Sequence, residues 1–234
     1  MNDTHFLLTF KPIIERAKKL GDSHAQDRST PIPIIAIAGG SGSGKSYFAD
    51  QLKKILDSLH CRAEVINQNG FSPYNKNAPD ALINVDHEQT HQFLSTVVHE
   101  NSKLDVPFRV RNHFPYSSAN PLPHIIEHKT INFGTTDLII FEGSFALSDK
   151  EPYNFFRYCN FGIFIEASLA HMQAWKIERE MSKPEQLQRP KEIFEKKLSK
   201  GLQVYQTYIL PTKQNASFVV YKEDKDRYTL IEKK

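Results

Sequence analysis

The chain has 234 residues, 39% of them hydrophobic and 24% charged. Those proportions exclude wholesale disorder, and the length suits one α/β domain with a sizeable core. A formal net charge of +3 suits small anionic ligands but is far from the basic stripe of a nucleic-acid binder, so no nucleic-acid partner is expected.

From the N-terminus, residues 6–20 predict a helix stopped by Gly21, followed by a polar linker over 22–31. This divides the chain into an N-terminal helix and linker (1–31) and a main domain (32–234). The apolar run Phe6 to Phe10 has no basic segment ahead of it, and no stretch reaches the length of a membrane span. Cys61 and Cys159 are the only cysteines, and neither sits in a CxxC or zinc-type cluster. The expectation is a soluble, cytoplasmic protein with free thiols and no membrane partner.

Residues 32–38 (IPIIAIA) form a continuous apolar run rich in β-branched side chains, which predicts a strand buried on both faces. A Gly/Ser turn follows, and 46–59 has apolar residues at helical spacing. A strand is predicted over 63–67, a helix over 87–100 and an extended segment over 106–111. Further buried strands are expected at 137–143 and 161–167. Helices follow at 169–181 and from 191 to about 208, and 217–221 with 227–231 closes the chain as a hairpin. Buried strands alternating with helices predict an α/β fold with a mainly parallel sheet covered on both faces.

Gly39-Gly40-Ser41-Gly42-Ser43-Gly44-Lys45-Ser46 satisfies GxxxxGK[ST] at every position. A chance match in a chain of this length is about one in a hundred, and the strand before and helix after supply the required context. The glycines let backbone N–H groups turn toward phosphate oxygens, and the following helix points its positive end at the same anion. Lys45 is placed to reach the β- and γ-phosphates of ATP, and Ser46 to ligate Mg²⁺.

His87-Glu88-Gln89-Thr90-His91 matches HExxH, the helical zinc motif. The metzincin extension fails, with Leu94 and Val97 at the Gly and His positions. A solvated helix face is therefore the expected role of this segment.

The phosphate loop, the strand ending in Glu142-Gly143 and the C-terminal half together resemble the superfamily of uridine kinases, phosphoribulokinases and bacterial type I pantothenate kinases. The stretches IFIEASLAHMQAWKIERE (163–180) and ILPTKQNASFVVYKEDKD (209–226) look most like the pantothenate kinases, whereas the overall length is closer to uridine kinases. The resemblance covers about residues 32–231 and is thin between 75 and 135. It implies the P-loop kinase topology, ATP with Mg²⁺, and a small-molecule hydroxyl as acceptor of the γ-phosphoryl group. Related kinases commonly associate, which implies a homo-oligomer.

Residue by residue, the resemblance implies that Glu142 is the acid beside the Mg²⁺–phosphate site, sharing the metal with Ser46. Lys176 and Arg179, three apart on one helix, match the lid pair that clamps the phosphates. The Arg-Gly-Arg that often follows in uridine kinases is replaced here by Met181-Ser182-Lys183. INQNGFSPYN (66–75) is similar to the family's Thr-Asp-Gly-Phe or Gln-Asp-Ser-Phe, with Gly70 and Phe71 kept but Asn69 at the position of the catalytic aspartate. An amide cannot serve as general base, although it can orient a hydroxyl. Three readings follow: a kinase in which positioning suffices, a protein that binds nucleotide without transferring phosphate, or an aspartate arising by deamidation of Asn69-Gly70.

For the acceptor, NVDHE (84–88) resembles the uridine kinase Asn-Phe-Asp-His-Pro and nominates Asp86, and an alternative register nominates Asp80. VPFRVRNH (106–113) resembles the family's Pro-x-Tyr-Asp-x₃-His one residue short, which nominates Phe108 and His113, with Phe71 beside them. The pantothenate kinase signature Gly-Phe-Pro-Glu-Ser-Tyr-Asp is absent. A nucleoside such as uridine or cytidine is the first expectation for the acceptor, then pantothenate, then a sugar or polyol.

Overall fold

Ile34–Gly39 carries no polar side chain, and a strand of that composition needs cover on both faces. In the computed structural model, which describes residues 2–71, 86–99, 103–111, 124–185, 188, 190–224 and 227–233, this strand (β1) lies inside a six-stranded sheet. Its partners are β2 (Ala63–Asn67), β5 (Leu138–Glu142), β6 (Phe161–Glu166), β7 (Phe218–Lys222) and β8 (Tyr228–Glu232), in the order β2-β5-β1-β6-β7-β8. All neighbours run parallel except the β7–β8 hairpin.

Alternation along β1 divides the core in two. Ile34, Ala36 and Ala38 face a layer that includes Leu94 and Val97 of α4 (His87–His99). Ile35 and Ile37 face α1 (Asp3–Thr9), α2 (Lys11–Gln26) and α3 (Lys45–Ser58). On that second face Phe6, Phe10 and Phe48 meet with ring centroids 4.7–5.1 Å apart. Two more helices, α5 (Leu169–Met181) and α6 (Lys191–Val204), connect β6 to β7.

The sequence expectation fails at the N-terminus. The single helix over 6–20 is two helices, because the chain turns at Phe10 and restarts with Pro12 in the first turn of α2. Gly21 does not stop α2. It is buried inside the helix, and a Cβ there would fall 2.4 Å from Cys61 Sγ, so the glycine marks close approach to the sheet. The segment after α2 is fastened by Asp137, whose carboxylate accepts hydrogen bonds from Arg28 and, at 2.7–3.1 Å, from the backbone and side chain of Arg62.

A strand absent from the sequence reading, β4 (His124–Asn132), pairs antiparallel with β3 (Lys103–Arg111) as a separate two-stranded ribbon. The C-terminal helix expected from 191 to about 208 keeps a helical path over that span but changes its winding. α6 stops at Val204, widens into a π-type turn over Tyr205–Ile209 and tightens over Leu210–Asn215 around Pro211.

The HExxH face is not simply solvated, as expected from sequence, but half-buried against aromatic rings. His91 packs on Phe155 with centroids 4.7 Å apart, and its Nε2–H donates to the Pro152 carbonyl at 2.9 Å. His87 meets Tyr153 edge-on. Among the described residues no group of three His, Cys, Asp or Glu side chains gathers as a metal site.

Candidate active site

Three parallel strand ends, β2, β5 and β1, deliver the site at the carboxyl edge of the sheet, where ligands bind in open α/β folds. The loop after β1 turns through Gly42 and Gly44 at φ +92° and +96°, a conformation that favours glycine, and α3 begins at Lys45. Ser43 is fully buried inside the loop and its hydroxyl has no hydrogen-bond partner among the described residues. Lys45 is also buried, and its ammonium donates to the loop's own Gly40 carbonyl at 3.2 Å. Burial lowers the Lys45 pKa, Glu142 opposes that shift, and Arg179 adds to it.

Register places Asn67, the last residue of β2, beside Glu142, the last of β5. The Glu142 carboxylate is 1% exposed, and its Oε1 accepts from the Ser46 hydroxyl at 2.8 Å and from the Asn67 side-chain amide. Its Oε2 is buried without a partner among the described residues. Burial raises the Glu142 pKa, Lys45, Ser46 and Asn67 counteract it, and the neighbouring charge of Asp50 adds to the rise. A hydroxyl and a carboxylate in contact, with one buried oxygen still available, are hard oxygen donors suited to Mg²⁺.

Asn69 is exposed at the mouth of the same strand end, and its backbone N–H donates to Asn67 Oδ1 at 2.7 Å. Asn67 therefore ties Asn69 and Glu142 together, a role absent from the sequence reading. Only the register of two strands separated by about seventy residues reveals it. Asp50, one helical turn beyond Ser46, is another neighbour that sequence reasoning passed over.

Lys176 of α5 packs against the phosphate loop. Lys176 Cγ lies 3.2 Å from where a Gly42 Cβ would stand, and Met172 and Tyr205 fill the space beside Gly40. Burial, with the charges of Arg179 and Lys45, lowers the Lys176 pKa to about 8. Arg179 itself is exposed. Ser41 is exposed at the loop tip, and Gly39 joins β1 to it.

The acceptor candidates separate. Phe71 is 2% exposed and packs on Phe93 at 5.0 Å, so it backs the turn after β2 instead of offering contact surface. Asp86 caps α4, accepting the Gln89 N–H at 2.8 Å. Phe108 is half-buried on β3, next to Pro107, whose carbonyl packs against Gly70. His113 and Asp80 lie outside the described residues.

A glycine-turned loop at a helix start with its own buried lysine, a buried acid on the adjacent strand and one lysine of α5 against the loop are the arrangement of a P-loop kinase. The chain belongs to the phosphoribulokinase/uridine kinase family, whose model matches residues 34–227. It is 26% identical over 207 residues to a uridine kinase of Ureaplasma urealyticum serovar 10, covering 84% of this chain and 91% of that protein. To a uridine kinase of Lactobacillus helveticus it is 24% identical over 190 residues, covering 80% and 85%. The fold is shared with D-glycerate 3-kinase from Cryptococcus neoformans var. grubii, at a TM-score of 0.61, 12% identity, and coverage of 94% and 99%. Among the described residues no helix is long and apolar enough to cross a membrane.

Proposed function

We propose that the protein is an ATP-dependent kinase that transfers the γ-phosphoryl group to a hydroxyl of a small metabolite, with a uridine- or cytidine-type nucleoside as acceptor. The observation that carries this is the meeting of Lys45, Ser46 and Glu142 at the phosphate loop, in a chain whose full-length relatives are uridine kinases. The acceptor oxygen attacks the γ-phosphorus in line, the bond to the β-phosphate oxygen breaks, ADP leaves with that electron pair, and the hydroxyl proton passes to solvent water. The loop N–H groups and Lys45 hold the triphosphate, and Lys176 and Arg179 neutralise charge on the transferred group. Ser46 and Glu142 would hold Mg²⁺, which when bound neutralises phosphate charge. Asn69 orients the acceptor hydroxyl. Phosphoryl transfer leans on positioning and charge more than on a strong base, so an amide there is compatible with turnover.

A second reading, nucleotide binding without transfer, is favoured by one feature: position 69 carries an amide. ADP release with ATP, Mg²⁺ and a panel of uridine, cytidine, pantothenate and simple sugars or polyols separates the two. Acceptor-dependent release with a pyrimidine nucleoside is expected. ATP binding with no acceptor-dependent release across the panel would favour the second reading.

A further inference from the structure

Asn67 closes β2, and its side-chain amide has a partner at each end. Nδ2–H donates to Glu142 Oε1, and Oδ1 accepts the backbone N–H of Asn69 at 2.7 Å. The two partners fix which way the amide faces. An ionised carboxylate only accepts and a backbone N–H only donates, so nitrogen meets Glu142 and oxygen meets residue 69. Parallel register sets Asn67 directly beside Glu142, so this short side chain spans the gap without leaving its strand.

On the acid's side, Oε1 also accepts the Ser46 hydroxyl, while Oε2 is buried without a partner among the described residues. Two donors on one oxygen hold the carboxylate's rotation and leave Oε2 for an incoming cation. On the other side, the turn that carries Asn69 is gripped by its flanks. Gln68 is buried, its Oε1 accepts the Phe145 N–H at 3.0 Å, and a Cβ on Gly143 would collide with it. A Cβ on Gly70 would collide with the Pro107 carbonyl of β3. Asn69 itself is exposed on that turn, and the Asn67 amide is what joins it to the acid. Aspartate at 67 would offer no donor to Glu142 and would set two carboxylates together, and an aliphatic residue would serve neither partner.

We infer that Asn67 is a positioning residue for phosphoryl transfer. One amide holds the Glu142 carboxylate for the metal and the residue-69 turn for the acceptor hydroxyl, and so sets the spacing between the two ends of the cleft. The inference rests on the kinase reading, in which Glu142 serves Mg²⁺ and Asn69 serves the acceptor.

Asn67→Val removes both hydrogen bonds and suits a strand end, and Asn67→Ala is the second variant should valine impair folding. The first measurement needs no turnover. It is the calorimetric Kd of a non-hydrolysable β,γ-imido analogue of ATP, with Mg²⁺ and with EDTA. Asn67→Val should weaken binding about tenfold with Mg²⁺ and leave it unchanged in EDTA. The second is a double-mutant cycle with Asn69→Ala, read as kcat/KM for uridine at saturating ATP and Mg²⁺. Asn67→Val should lower that value about tenfold when Asn69 is present and hardly at all when position 69 is alanine. Analogue binding that is unchanged, or weakened equally with and without the metal, overturns the inference. Additive effects in the cycle also overturn it, because they would assign Asn67 to the fold alone. If the wild-type protein turns over no uridine, or Asn69→Ala leaves kcat/KM unchanged, the acceptor reading falls first and takes the inference with it.

Discussion

Ser46 and Glu142 meet across 2.8 Å, a hydroxyl from the first turn of α3 donating to a carboxylate at the end of β5. Each side chain alone is ordinary; together they close the phosphate loop against the sheet. Glu142→Gln keeps the shape and removes the charge. It should raise the Mg²⁺ concentration for half-maximal ADP release by about 10–100-fold. A variant with an unchanged Mg²⁺ requirement would remove Glu142 from the metal site.

The same substitution tests the sign of an electrostatic strain. Burial holds the folded-state pKa of Glu142 above the ordinary glutamate value of 4.5. Stability linked to this group is therefore complete below about pH 4.5 and declines as pH rises through the folded value. At neutral pH Glu142→Gln relieves that loss, and should stabilise the fold by about 1 kcal/mol while activity falls. Thermal melts at pH 4 and pH 7.5 check it: the gain should appear only at the higher pH.

Position 69 asks whether orientation or proton removal limits transfer. Asn69→Ala deletes the side chain that would hold the acceptor hydroxyl, and should lower kcat/KM for the acceptor about tenfold, the worth of one hydrogen bond. Asn69→Asp restores a proton acceptor, and should raise kcat with ATP affinity unchanged. Steady-state kinetics on the nucleoside acceptor decide. Loss of ATP affinity in Asn69→Ala would show that the residue serves the nucleotide instead.

What the sequence made legible follows from how local each signal is. β1, the phosphate loop and Glu142 were readable because an uninterrupted apolar run and a fixed spacing need no partner to be recognised. Gly21 misled, because glycine signals a helix end by default and close packing on Cys61 only by context. β4 was hidden because Glu127, His128, Lys129 and Thr130 are all exposed in succession, which blurs the alternation of a half-buried strand. Asn67 was invisible for a different reason. Its partner, Glu142, is set by strand register, which no local pattern encodes.

Asp137, just ahead of β5, ties down the segment after α2 through Arg28 and the approach to β2 through Arg62. Burial would raise its pKa, but the hydrogen bonds from Arg62 and Arg28 outweigh that and hold it below the ordinary aspartate value of 3.8. This contribution is present above about pH 4 and is lost as pH falls through the depressed folded value. Removing one partner of a buried pair costs up to 3–5 kcal/mol, but Arg62 is more than half exposed and water can take over its side. Asp137→Asn should therefore destabilise by about 2 kcal/mol at pH 7. Denaturant melts should show that difference shrinking toward pH 3. A difference independent of pH would place the effect in packing.

Lys176 gives the site its pH signature. Desolvation by burial, reinforced by Arg179 and Lys45, brings its pKa down to about 8. As pH rises through that value the ammonium loses its proton and the phosphates lose a cation. Bound ATP brings negative charge to Lys176 and lifts its pKa again. The basic limb should therefore appear near pH 8 in kcat/KM for ATP, which reports the free enzyme, and be displaced upward in kcat. Lys176→Arg, which stays charged throughout, should abolish the limb while retaining activity. Lys176→Met should abolish it with kcat lowered about 100-fold, the loss expected for one donor to developing charge. A limb that survives in Lys176→Arg would belong to another group, and Lys45, which shares the same field, is the next to test.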